Sequence, residues 1–131
     1  MWKAIKGATV LVPSGPAHDP DRLHLQLILT DPIAATGEIL MTSLCKIPAS
    51  NIYDGSCSLF PGEHSFVTLH SYVSYRHCKI VQALMLEAKV SAHEFYAKEE
   101  LGPKRLGDVL VGFKDSPHVA PKYRRFFDAA T

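Results

Sequence analysis

Between residues 23 and 30 the chain alternates strictly in its side chains. Leu23, Leu25, Leu27 and Leu29 are interleaved with His24, Gln26, Ile28 and Thr30. A period of two marks a strand with one face buried, and Asp31-Pro32 ends it, because proline cannot donate to a ladder and restricts the residue before it. Upstream, Gly7 opens a short apolar run, Ala8 to Val12, that predicts a first buried strand. Pro13-Ser14-Gly15-Pro16 breaks it, and a polar loop follows through His18-Asp19-Pro20-Asp21. Downstream, Glu38 to Lys46 predicts a third strand, apolar first and hydroxyl-bearing near its end. Ser56 to Phe60 predicts a short fourth, His64 to Leu69 another after the Pro61-Gly62 turn, and Tyr75 to Gln82 the last.

From Leu84 the period changes. Residues 84–95 (LMLEAKVSAHEF) are good helix formers without proline, and Leu106, Val109, Leu110 and Phe113 fall at i, i+3, i+4 and i+7 on one helical face. Ser116-Pro117 stops that helix, and KYRRFF predicts a last short one. Strands this short, joined by Pro/Gly turns, indicate a small barrel or a strongly bent sheet. The expected fold is therefore α+β: about five to six short strands in residues 1–83 and a helical tail in 84–131, all within a single domain of ordinary size. No repeat, linker or low-complexity tract interrupts it.

Composition narrows the class. Apolar residues at 47% and charged residues at 21% are those of a globular chain and exclude a disordered one. The formal net charge of +1 means that any polyanion-binding surface must be a local patch. Cys45, Cys57 and Cys78 are odd in number, contain no C-x-x-C pair and sit beside apolar residues, as small buried thiols of a reducing compartment do. The apolar run before Pro13 is too short for a signal-peptide core or a membrane span, so the reading is a cytoplasmic protein with no membrane association.

Candidate chemistry concentrates in two places. The third strand carries the adjacent hydroxyls of Thr42 and Ser43, which could bind phosphate oxygens or, more plainly, cap a sheet. Residues 70–81 (HSYVSYRHCKIV) are the densest constellation, with serines, tyrosines, an arginine, histidines and a lysine. Attack of a ribose 2′-hydroxyl on its own phosphodiester needs a base near neutrality, an acid for the leaving oxygen and a cation for the pentacoordinate charge. His77 suits acid or base and Arg76 the charge clamp, while Tyr72 and Tyr75 could stack bases. The plain alternative is half-buried strand tyrosines with Arg76 and Lys79 on a solvated face.

Asp54, Glu63 and His64 match no familiar zinc spacing, and no metal or other cofactor is expected. His24, among leucines, reads as a satisfied strand histidine, and His18, His93 and His118 as surface residues. Lys122 to Phe127 reads as core packing with a basic rim. No phosphate-cradling glycine loop and no G-x-S-x-G are present, which removes nucleotide-triphosphate and serine-hydrolase chemistry.

The ordered pieces GATVLVPSG, RLHLQLILT, ILMTS, SYVSYRHCKIV and LGDVLVGF together resemble the PemK/MazF family of growth inhibitors. The resemblance covers most of the chain through short, degenerate elements. It implies an SH3-like β-barrel with C-terminal helices, a homodimer, an antitoxin protein as partner and metal-independent endoribonuclease cleavage of single-stranded RNA. Carried over by position, Arg22, Thr42, Ser43, Ser71 and Arg76 would line the RNA groove. Joined to the residue chemistry above, the expected site has Arg76, His77, Thr42 and Ser43 catalytic and Arg22, Ser71, Tyr72, Tyr75 and Lys79 binding RNA. Three features depart from the family pattern. Leu23-His24 stands where a proline follows the arginine, the acidic loop is shortened to HDPD, and the helical tail is longer. Since barrels of this type also serve as inert modules, a non-catalytic domain that binds nucleic acid or a protein is the alternative, and a purely structural oligomerisation domain a third.

Overall fold

The leucine alternation becomes strand β2 (Leu23–Ile28) in the computed structural model, which describes residues 1–131. It lies between β1 (Thr9–Pro13) and β3 (Glu38–Lys46). The sheet continues through β5 (Ser71–Gln82) to β4 (Ser58–Leu59) on one side and ends at β6 (Tyr96–Lys98) on the other. Every neighbouring pair is antiparallel, and the six strands curl into a half-barrel. Helices α1 (Ala83–Ser91), α2 (Pro103–Asp115) and α3 (Pro121–Ala130) complete an α+β architecture.

Three elements differ from the expectation. Residues 64–69 form turns rather than a strand, because His64 folds inward. Its Nε2 lies 3.0 Å from both Thr9 Oγ1 and the Glu99 carbonyl, and its Nδ1 accepts the Phe66 N–H. The segment expected to be wholly helical contains β6, which adds to the free edge of β1 through Thr9↔Lys98 and Leu11↔Tyr96. The helix expected over 84–95 stops at Ser91. There His93 adopts a left-handed φ of 60°, and the N–H groups of His93 and Glu94 bond back to the carbonyls of Val90 and Lys89, a Schellman closure.

The leucines of β2 face the larger core. They pack with Leu11, Leu40, Leu44 and Val73 of neighbouring strands against Val109 and Phe113 of α2 and Phe127 of α3. Tyr75 is fully buried there, and its hydroxyl donates to the Val109 carbonyl at 2.6 Å. A Cβ at Gly112 would come within 2.5 Å of that hydroxyl, so only glycine lets α2 seat so closely. Arg124 of α3 donates to the carbonyls of Lys114 and Ser116 and so satisfies the open end of α2.

The opposite, outer face of the sheet carries a second, smaller apolar cluster at one end. There Ile28, Ile39 and Met41 pack under Ala4, Ala83 and Leu86, with Trp2, Val81 and Phe95 at the margin. Glu87 of α1 accepts the Ala4 N–H at 3.0 Å, which ties the N-terminal segment to the helix. Gly7, at φ 91°, turns this segment into β1. No helix is long and apolar enough to cross a membrane.

One irregularity shapes the open end. Met41 pairs with Lys79 and Ser43 with Ser74, so two steps along β3 face five along β5. The extra residues form a bulge, which breaks strict alternation and re-aims side chains. Tyr75 and Cys78 turn inward while Arg76 and His77 both face solvent.

Candidate nucleic-acid interface

Register across three strands assembles the other end of the outer face around a buried polar row. Gln26 of β2 pairs with Ser43 of β3, and Ser43 with Ser74 of β5, so the three side chains form one row. Two residues along, His24 of β2, Cys45 of β3 and Tyr72 of β5 share the same face, Cys45 being paired with Tyr72. The Ser43 hydroxyl donates to Gln26 Oε1 at 2.9 Å, which satisfies two buried polar groups.

Two imidazoles stand over these rows, each held by a serine. Ser14 Oγ lies 2.9 Å from His24 Nδ1, and Ser74 Oγ lies 2.6 Å from His77 Nδ1. Both contacts engage Nδ1, so Nε2 is the ring nitrogen offered to a ligand. Ser14 Oγ also lies 3.3 Å from the Val12 carbonyl, and when its proton goes there His24 Nδ1 is the donor and Nε2 carries the free lone pair. Burial holds the His24 imidazole below its ordinary pKa, and the positive charges of Arg22, His77 and Lys79 lower it further. A neutral imidazole with an exposed lone pair is a base at neutral pH.

The surrounding field is positive. Arg76, His77 and Lys79 are exposed along β5, and Arg22 precedes β2. The only carboxylate in β2, β3 or β5 is Glu38, at the opposite end of β3. Arg22 meets Asp19 at 3.1 Å, an exposed pair that is weak and screened by salt.

Beside this patch the sheet opens. The β2–β3 ladder runs only from Ile28↔Met41 to Gln26↔Ser43, although both strands extend further. The splayed ends leave a cleft of about 600 Å³ lined by Arg22, Leu23, His24 and Leu25 on one side, Leu44, Cys45 and Lys46 on the other, and Phe66 to Leu69 with Ser71 at its end. Strand edges without ladder partners face that cleft, and an anion or an extended chain would satisfy them.

The structure therefore gathers part of the set expected from sequence. Ser43, Tyr72, His77 and Lys79 meet on the outer face, and Arg22 and Ser71 border the cleft. Thr42 does not join them. It is fully buried on the inner face and donates to the Ser74 carbonyl at 2.7 Å, because adjacent strand residues point to opposite sides. Tyr75 is likewise inside, where its ring stacks on no base. Arg76 leans away from His77 and donates to His118 Nδ1 at 3.2 Å, toward the α2–α3 connection. His24, Gln26, Cys45 and Ser74 are the members that sequence reasoning missed. The L-H-L-Q-L alternation already placed His24 and Gln26 on the polar face, but their partners depend on register.

Asp54, Glu63 and His64 do not converge. Asp54 accepts from Ser56 and Ser116, Glu63 binds Arg105 at 2.6 Å, and His64 belongs to the Thr9–Glu99 contact. Burial works to raise the Asp54 carboxyl, and the bonds from Ser116 and Ser56 outweigh it, so it sits below the usual value. No group of three His, Cys, Asp or Glu side chains is placed to hold a metal ion. Burial raises all three thiols, Cys78 to about 11, which makes them poor nucleophiles. The chain matches no protein-family model and no curated protein.

Proposed function

We propose that the chain binds single-stranded RNA across the outer face of β2, β3 and β5 and cleaves it without a metal, as a PemK/MazF-like endoribonuclease. The observation that carries this reading is the pair of serine-held imidazoles, His24 and His77, on a face where Arg22 and Lys79 stand close enough to act on His24. In the reaction His24 Nε2 takes the ribose 2′-hydroxyl proton while the 2′-oxygen bonds to phosphorus. The phosphorus–5′-oxygen bond breaks, and protonated His77 gives its Nε2 proton to that oxygen. The products are a 2′,3′-cyclic phosphate and a 5′-hydroxyl, with Lys79 and Arg22 holding the pentacoordinate charge.

The half-barrel, on this reading, is of the SH3-like type, and the protein acts in the cytoplasm as a homodimer restrained by an antitoxin protein. A second reading, a barrel module that binds RNA or a protein without cutting, is favoured by the burial of Thr42 and the turn of Arg76 toward His118. Incubating purified protein with single-stranded RNA in EDTA separates the two. Cleavage is expected, with cyclic-phosphate ends, and His77→Ala or His24→Ala should slow it by about 10²–10⁴-fold while the fold persists. Intact RNA, or cleavage indifferent to both substitutions, refutes the enzymatic reading.

A further inference from the structure

Beyond the imidazole patch, the same face of β5 carries a row of rings that the cleavage chemistry does not use. Tyr72 lies 5.1 Å from Tyr53, and Tyr53 meets the edge of His70 at 6.3 Å. His70 in turn stacks on Phe60 at 4.5 Å, with the planes only 13° apart. Leu59 pairs with Ser71, so Phe60 and His70 are the next cross-strand neighbours, and alternation sets them on the face of Tyr72 and Ser74. Phe60 is 50% exposed although apolar. Its position is nonetheless fixed: its backbone N–H donates to Glu63 at 2.7 Å, and Glu63 is anchored by Arg105.

A row of rings, Phe60 and His70 exposed and Tyr53 and Tyr72 half-buried, could meet an apolar protein surface or a nucleobase. Two observations favour the base. The row begins at Tyr72, on a strand that carries Arg76, His77 and Lys79 and no carboxylate, and at its far end Glu63 is paired with Arg105, so an anionic strand is drawn to the row from the Tyr72 end. The Phe60–His70 pair also presents flat, parallel rings, the geometry on which a further planar ring stacks. We propose that Tyr72, Tyr53, His70 and Phe60 form a stacking track for successive bases of the single strand bound at the imidazole patch, so that the RNA footprint extends past the reacting phosphate to Phe60. This rests on the RNA-binding reading above and adds where the strand runs and how it is held. Because every base has a stackable face, the track supplies affinity with little sequence preference.

The test measures binding of 2′-O-methyl RNA, which cannot be cut, by fluorescence anisotropy. Two lengths are compared, about four nucleotides and about twelve, within the range that single-strand modules occupy. Phe60→Ala should weaken the long probe by about tenfold and leave the short one unchanged, with Phe60→Trp restoring affinity. The slope of log affinity against log salt should be the same for Phe60→Ala as for wild type, since stacking releases no counterion, whereas Lys79→Ala should reduce it by about 0.7. Long-probe affinity that is indifferent to Phe60→Ala and Tyr53→Ala overturns the track, even if the protein binds RNA. Wild-type protein that binds neither probe overturns the RNA reading and the track together.

Discussion

The two ends of the sheet's outer face are built on the same three strands and carry opposite chemistry. At one end Ile28, Ile39, Met41 and Val81 are sealed under α1 and the N-terminal segment. At the other, after Lys79, the same positions along β2, β3 and β5 become His24, Gln26, Ser43, Cys45, Tyr72, Ser74 and His77, a polar set in which Gln26, Ser43 and Ser74 are buried and His77 is exposed. The backbone changes at the same place: the β3–β5 pairing shifts register between Met41 and Ser43, and the β2–β3 ladder ends at Gln26↔Ser43. Side-chain identity and the β5 bulge together convert a packing surface into a binding surface, the bulge at the border turning His77 outward.

That division predicts that the two ends can be damaged separately. Leu86 is fully buried in the sealed end, and Leu86→Ala should cost about 2–5 kcal/mol of stability. Denaturant unfolding would show the loss, while RNA affinity measured on the folded fraction should hold. Joint loss of stability and affinity would mean that the sealed end also shapes the open one.

The adjacent hydroxyls of β3 give a finer version of the same contrast. Thr42 faces the core and bonds the Ser74 carbonyl, so Thr42→Val should destabilise by about 1–3 kcal/mol, leaving that carbonyl without its partner. Ser43 faces outward beside Gln26. Ser43→Ala leaves the buried Gln26 Oε1 without its donor and should cost a similar amount, yet it alone of the two should weaken RNA binding by the folded protein, and the reverse ranking in binding would contradict the assignment of faces.

These neighbours also show what could be read in advance. Period-two patterning located β2 and both its faces, and β3 runs over the residues Glu38–Lys46 that the pattern predicted. The same rule places Thr42 and Ser43 on opposite sides, so one site could not have used both. Tyr75 and His77 were not legible, because the bulge that turns one in and the other out is set by pairing with distant β3. β6 was missed since its three residues are exposed and show no alternation, and its strand character comes from the edge of β1. The pairing of His24 with Ser14, and its nearness to His77, likewise join segments far apart in sequence.

A smaller effect concerns the helix that seals the apolar end. His93 closes α1 in a left-handed conformation that glycine adopts without steric cost. His93→Gly should stabilise the protein by about 0.5–1 kcal/mol. Tm should rise with RNA binding unchanged, and a fall would show that the imidazole makes a contact worth more than the backbone strain.

The subtlest difference between the two ends is in their response to acid. The sealed end contains no titrating group in its apolar cluster, whereas the open end holds His24 with its folded pKa below the ordinary imidazole value. The unfolded chain therefore binds a proton at His24 more readily than the folded one. Stability should decline as pH falls through about 6.5 and gain nothing from this group above neutrality. His24→Gln should flatten that limb without altering stability at pH 8. Burial is the main cause of the shift and Lys79 only a contributor, so Lys79→Gln should return the His24 titration, followed by NMR, part of the way upward. In the cleavage assay the acid limb of kcat/KM should follow His24 in the wild type and in Lys79→Gln. An acid limb that stays fixed while the His24 resonance moves would assign the base to another group and leave the open end a surface for binding alone.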